Sequence, residues 1–171
     1  SDPSRVSPQG RVLVFIGLLA LVLRVLHVLA MGESPYFAAP AMDEAYHADW
    51  ARALVAGETF QEGPFFRAPL YIWFLAAVQK VFGVGYLAPR LVQAALGVVT
   101  TVLTHRIASH LFRPLAAHLS AFLVATSWVL VHFDSQLLIP TLAIPLNLMA
   151  LLLSLRASRD LTARSGVLAG L

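Results

Sequence analysis

Residues 42–71 read MDEAYHADWARALVAGETFQEGPFFRAPLY. They are a polar island: six of the nine acidic residues lie between Glu33 and Glu62, and Arg52 and Arg67 sit in the same segment. The surrounding chain is apolar. Hydrophobic residues make up 58% of the sequence and charged residues 12%, where a soluble domain carries about 25% charge. Such a composition belongs to an integral membrane protein, with the island as one large loop on a single side of the bilayer.

On either side of the island, the apolar runs at 12–31, 89–105, 115–132 and 137–155 each approach the ~20 residues a helix needs to cross a bilayer, and a fifth run starts at 165–171. Within the island, Asp43 stands where an N-cap belongs, and Gly57 stands where a helix stops. Met42, Tyr46, Trp50, Ala53 and Leu54 recur at helical spacing, with Asp43 and His47 on an adjacent face. Half apolar and flanked by charge, this helix reads as lying along the membrane surface. The apolar stretch 70–82 is short for a span, which favours an interfacial or re-entrant helix. Pro140 and Pro145 fall in the run 137–155 and predict a kink.

Charge sets the expected topology. If 70–82 does not cross, the segments 1–11, 106–114 and 156–164 fall on one side, carrying Arg5, Arg11, Arg106, Arg113, Arg156, Arg159 and Arg164. That satisfies the positive-inside rule. The expected fold is therefore an all-α membrane bundle with two surface-lying helices in a large external loop, 32–88.

Several classes are excluded or left without support. No cysteine is present, so there is neither a disulfide framework nor a thiolate metal site. The formal charge of +3 is small and dispersed and does not suggest nucleic acid. The six histidines form no HExxH-type pair, and no metal site is expected. Arg24, inside the first run, has two readings: snorkelling to the interface or facing a polar cavity within the bundle.

Four local patterns in order carry a family resemblance. They are Asp43-Glu44 with Tyr46; Arg67-Ala68-Pro69-Leu70-Tyr71-Ile72-Trp73; Pro89-Arg90-Leu91 with Gln93 and Gly97; and the basic turn from Arg106 to Phe112. Together they resemble the GT-C superfamily of membrane glycosyltransferases, in particular the branch of protein O-mannosyltransferases and bacterial aminoarabinose transferases. Two positions depart from the pattern. Ala68 replaces the first proline of a Pro-Pro pair, and Gln136 stands where many relatives have Glu, with Asp134 two positions early.

The resemblance implies transfer of a sugar from a polyprenyl-phosphate donor to an acceptor on the outer face of the membrane, with no cofactor. Asp43 would be the base that takes the acceptor's proton, and Glu44 the fallback. Arg67 and Arg90 would hold the lipid phosphate, with Tyr46, His47 and Tyr71 also contacting substrate. It also implies a bacterial inner-membrane protein; the arginine distribution then puts the N-terminus in the cytoplasm and the loop in the periplasm, and so large a one-sided loop is expected to be covered by membrane lipid and other membrane chains. Plainer readings stand beside these. Asp43 and Glu44 also suit a helix N-terminus electrostatically; Tyr46, Trp50, Tyr71 and Trp73 also suit an aromatic belt; His47 also suits a solvated surface.

The chain opens at Ser1-Asp2-Pro3 and stops inside an apolar run. The expectation is the N-terminal portion of a longer transferase. The alternative is a non-catalytic transmembrane subunit, derived from such an enzyme and packed in a larger complex; further spans beyond Leu171 would favour the enzyme, and a stop codon there the subunit.

Overall fold

The computed structural model of the chain describes residues 7–58 and 67–169, the side chains of 159–169 excepted. The described residues form eight helices and no strand: α1 Pro8–Met31, α2 Pro35–Ala38, α3 Met42–Ala56, α4 Pro69–Phe82, α5 Leu87–Leu111, α6 Pro114–Thr126, α7 Trp128–Asp134 and α8 Pro140–Ala169. The chain is an all-α membrane helical bundle. Among the described residues, α1, α5 and the Pro140–Ser158 part of α8 are long and apolar enough to cross a bilayer. Helices α6 and α7 are long and apolar enough only when taken together, and the pair is bent by 54°, the geometry of a broken span or a re-entrant loop.

Length separates the spans from the loop helices. At 1.5 Å per residue, α1 extends about 36 Å, enough for a hydrocarbon core of about 30 Å. Helices α3 and α4 extend only about 22 Å each. They pack on each other, and α4 reaches the start of α5. Ala48, Trp50, Ala51, Tyr71, Ile72 and Leu75 form their shared core, closed by Leu137 from the α7–α8 turn.

Helix α5 is the hub and packs on α1, α6 and α8. Between α1 and α6 the contact is made by Ile16, Ala20, Ala121 and Ala125. Alanine lets two backbones approach closely where no water is displaced to drive association. Between α5 and α8, Leu103, Ile107 and Leu152 interlock. Large apolar side chains such as Phe15, Leu18 and Leu123 stay exposed, as lipid-facing residues do.

Several local expectations are corrected. The N-cap of α3 is Ala41, without a side-chain cap bond, and Asp43 lies inside the first turn. Gly57 closes α3 at φ 75, as its position predicts. The buried face of α3 carries Glu44, His47, Ala48, Trp50 and Ala51, whereas Met42 is almost fully exposed. Trp50 and Tyr71 are core residues rather than members of an aromatic belt, while Trp73 is exposed. His47 is buried, not solvated. The segment 156–164, expected as a polar loop, continues α8 as helix. The turn expected over 58–64 lies, apart from Glu58, outside the described residues.

The break between α6 and α7 has a local cause. Ser127 adopts φ −61, ψ 109, so α6 stops at Thr126 and leaves carbonyls without helical partners. Arg24 of α1 supplies one replacement, donating from Nη1 to Ala125 O at 3.2 Å. Irregular backbone at membrane depth is tolerated where protein groups satisfy it.

Candidate functional site

The polar residues converge where α1 ends, α3 and α4 meet, α5 begins and α7 turns into α8. They form three levels.

The outermost level is an ion pair. Arg67 donates from Nη2 to Asp43 Oδ1 at 2.6 Å, and the Asp43 side chain is 51% exposed. The Arg67 guanidinium also stands 5.9 Å from the Tyr46 ring centroid. The left-handed Met42, at φ 53, immediately precedes Asp43. That conformation costs a non-glycine residue about 1 kcal/mol or more, and such costs concentrate at functional sites.

The second level is buried and grips the α7–α8 turn. Glu44 Oε1 accepts from Leu137 N at 2.6 Å. His47 Nδ1 donates to Leu137 O at 2.8 Å, which puts the imidazole proton on Nδ1. Arg90 donates from Nε to Ser135 O at 2.9 Å and from Nη1 to Phe37 O at 3.0 Å. Its guanidinium also stacks 4.2 Å from the Phe37 ring centroid. Gln93 Nε2 donates to Asp134 O and Gln136 O, while its Oε1 accepts from the Tyr71 hydroxyl at 2.7 Å. Four side chains from α3 and α5 thus hold backbone polar groups on each of residues 134–137. Arg90 Nη2 comes within 3.7 Å of Glu44 Oε2, close enough for charge pairing but too long for a hydrogen bond.

Burial sets the electrostatics of this level. It pushes the Tyr71 hydroxyl well above its usual pKa, and the Glu44 charge adds to the shift against the opposing Arg90. It lowers the His47 pKa; the Leu137 hydrogen bond opposes this, Arg67 adds to it and Asp43 opposes it. Both groups are therefore neutral at neutral pH.

The third level lies inside the bundle. Arg24 donates from Nε to Asp134 Oδ2 at 2.7 Å, and both side chains are buried. Gly97 of α5 faces them, and a Cβ there would collide with Arg24 Nε and Asp134 Oδ2.

Two cavities border these levels. One of about 550 Å³ is lined by Met31, Ser34, Tyr36, Met42, Glu44, His132 and Gln136 among others. The other, about 220 Å³, begins at Ala68 beside Arg67 and follows Ile139, Leu142, Ala143 and Leu146 along α8. Its walls are almost wholly apolar.

The expected site residues therefore separate. Asp43, Arg67 and Tyr46 share the outer level. Glu44, His47, Arg90 and Tyr71 are buried beneath them. Glu44, His47 and Arg90 bond the α7–α8 turn, Arg90 also bonds Phe37 O, and Tyr71 bonds Gln93, while His47 Nε2 and Arg90 Nη2 are left without a hydrogen-bond partner among the described residues. The Arg24–Asp134 pair and the Phe37 stack on Arg90 were not foreseen. Arg24 carried a signal, a charge inside an apolar run; Phe37 carried none. Among the described residues, no three His, Asp or Glu side chains are grouped to hold a metal ion.

Residues 66–171 match the family of dolichyl-phosphate-mannose-protein mannosyltransferases. The chain belongs to this family. It is thus a multi-pass membrane glycosyltransferase of the GT-C type. The match takes in Arg67, Tyr71, Arg90, Gln93 and Asp134, and begins after Asp43, Glu44, Tyr46 and His47. No curated protein matches the chain, and no solved structure does.

Proposed function

We propose that this chain forms the donor-binding end of a transferase that moves a sugar from a polyprenyl phosphate to an acceptor at the outer face of a bacterial inner membrane. The observation that carries the reading is the apolar groove that starts beside Arg67 and runs along α8. A lipid phosphate has one charged end and one long apolar tail. The groove's lining includes Ala68, next in sequence to Arg67 of the Asp43–Arg67 pair, and its wall from 139 to 147 extends about 12 Å along the helix.

In the transfer, the acceptor oxygen forms a bond to the anomeric carbon as the bond from that carbon to the phosphate oxygen breaks. The electron pair leaves with the lipid phosphate. Asp43, the exposed carboxylate, takes the acceptor's proton. Arg67 offsets the charge that develops on the phosphate and meanwhile holds Asp43 in place. Glu44, Arg90, Tyr71 and His47 are positioning residues in this reading: they fix the turn against which α3 rests. The donor is itself the substrate, and no cofactor takes part.

Photocrosslinking tests the reading without relying on turnover. A polyprenyl phosphate with a photoreactive tail, added to the intact protein in membranes, is expected to label 139–147 of α8, and Leu142→Trp to remove the label. Labelling elsewhere, unchanged by Leu142→Trp, would exclude this donor route.

A further inference from the structure

At the opposite end of the bundle, α5 and α8 enclose a second groove of about 320 Å³. Its α5 wall is Val98, Val102 and Arg106, at i, i+4 and i+8; its α8 wall is Met149, Leu152 and Arg156, at i, i+3 and i+7. Both spacings put side chains on one helix face. The two stripes face each other, and each ends in an arginine.

Depth follows from helix geometry. Arg106 lies 16 residues beyond Arg90 and Arg156 lies 16 beyond Pro140, about 24 Å along each helix. The two guanidinium groups therefore stand near one level, most of a bilayer away from the Asp43–Arg67 pair. Both are exposed, and neither forms a salt bridge among the described residues. No acidic residue lines the groove. Two cations at headgroup level open onto an apolar cleft that leads toward the bilayer centre.

We propose that this groove is a binding site for an anionic glycerophospholipid of the membrane leaflet opposite the candidate active site. Arg106 and Arg156 take the phosphate, each able to present a pair of N–H donors. One acyl chain lies between Val98, Val102, Met149 and Leu152. Charge complementarity selects this occupant. A zwitterionic lipid carries its own cation to the same two arginines, and a packed apolar helix leaves both of them unpaired. The bound lipid would add to the contact that Leu103, Ile107 and Leu152 make between α5 and α8.

The test uses the intact protein in mild detergent, with phosphatidylglycerol and phosphatidylcholine of identical acyl chains, and bound lipid counted by native mass spectrometry. Wild type is expected to hold phosphatidylglycerol roughly thirtyfold more tightly, about fivefold per arginine. Arg106→Gln/Arg156→Gln should lose that preference while phosphatidylcholine binding stays unchanged. Each single variant is measured too, so the comparison survives if the double variant fails to fold. Met149→Trp fills the groove and should release lipid with both arginines intact, whereas Arg113→Gln, outside the groove, should change nothing. Equal affinity for the two lipids, a preference that survives the glutamines, or retention indifferent to Met149→Trp overturns the proposal. Displacement of phosphatidylglycerol from this groove by a polyprenyl phosphate also overturns it, because the site would then belong to the carrier lipid.

Discussion

Arg24 and Asp134, 110 residues apart, meet inside the bundle at 2.7 Å. Arg24 bonds the end of α6 through Ala125 O and the end of α7 through Asp134, so one arginine spans both sides of the break at Ser127. Asp134 in turn opens the turn held by Gln93, Arg90, Glu44 and His47. The pair thereby ties the membrane-buried helices to the loop helices that carry the candidate site.

Removing one partner leaves a buried charge without compensation. Asp134→Ala should cost about 3 kcal/mol or more and lower the thermal midpoint of the detergent-solubilised protein sharply. Arg24→Met/Asp134→Leu leaves no charge behind and should recover a large part of that loss. Strictly additive losses in the double variant would mean that the two residues are not coupled.

Gly97 leaves room for that pair. Gly97→Ala brings a methyl group against Arg24 and Asp134, an overpacking expected to cost about 1–3 kcal/mol. In an Arg24→Ala background the obstruction from Arg24 is gone, so the same substitution should cost markedly less. The two thermal midpoint differences, measured side by side, check this.

Tyr71 is buried and its hydroxyl donates to Gln93. Tyr71→Phe removes that donor and leaves Gln93 Oε1 unpaired, at a cost of about 1–2 kcal/mol. If Tyr71 only positions the turn, the donor KM should stay near wild type in protein that remains folded. A large rise in KM with an unchanged thermal midpoint would instead make Tyr71 a substrate contact.

His47 predicts a pH dependence. Its pKa is lowered in the fold from about 6.5 in the unfolded chain. Between these values the unfolded state binds more protons, so stability rises with pH. The contribution is complete above about 6.5 and is lost as pH falls from there through the lower folded value. His47→Leu should flatten this part of the stability–pH curve relative to wild type. Denaturation curves from pH 7.5 downward, compared between the two proteins, provide the check.

The long helices α1, α5 and α8 were legible because length and apolarity alone mark candidate spans. The break at Ser127 was not, because its compensation comes from Arg24, about a hundred residues away. The inner face of α3 was misread for a physical reason. Apolar periodicity selects Met42, Tyr46 and Leu54, but the surface α3 meets includes the bare backbone of the α7–α8 turn, and Glu44 and His47 satisfy it better than alkyl groups do. The polar stretch 156–164 read as a loop, yet polar residues suit a helix that has left the hydrocarbon. Asp43 and Arg67 were named from the sequence, and their pairing across 24 residues became visible only in the fold.

The adjacent carboxylates Asp43 and Glu44 separate catalysis from architecture. Asp43 is half exposed and paired with Arg67, whereas Glu44 is buried on Leu137 N and near Arg90. Asp43→Asn keeps shape and hydrogen-bonding capacity but removes the base. It should lower sugar transfer roughly 10²-fold or more while the thermal midpoint stays within a degree or two of wild type. Glu44→Gln removes the charge opposite buried Arg90 and should lower the midpoint, at a cost of about 2 kcal/mol; any loss of transfer should follow the loss of folded protein. Transfer from a polyprenyl-phosphate sugar and the thermal midpoint, measured on the same preparations of intact protein, separate the two roles. Full transfer by a folded Asp43→Asn protein would remove Asp43 from the chemistry. A Glu44→Gln protein that is stable yet inactive would move the base one residue along α3, to the carboxylate lining the 550 Å³ cavity.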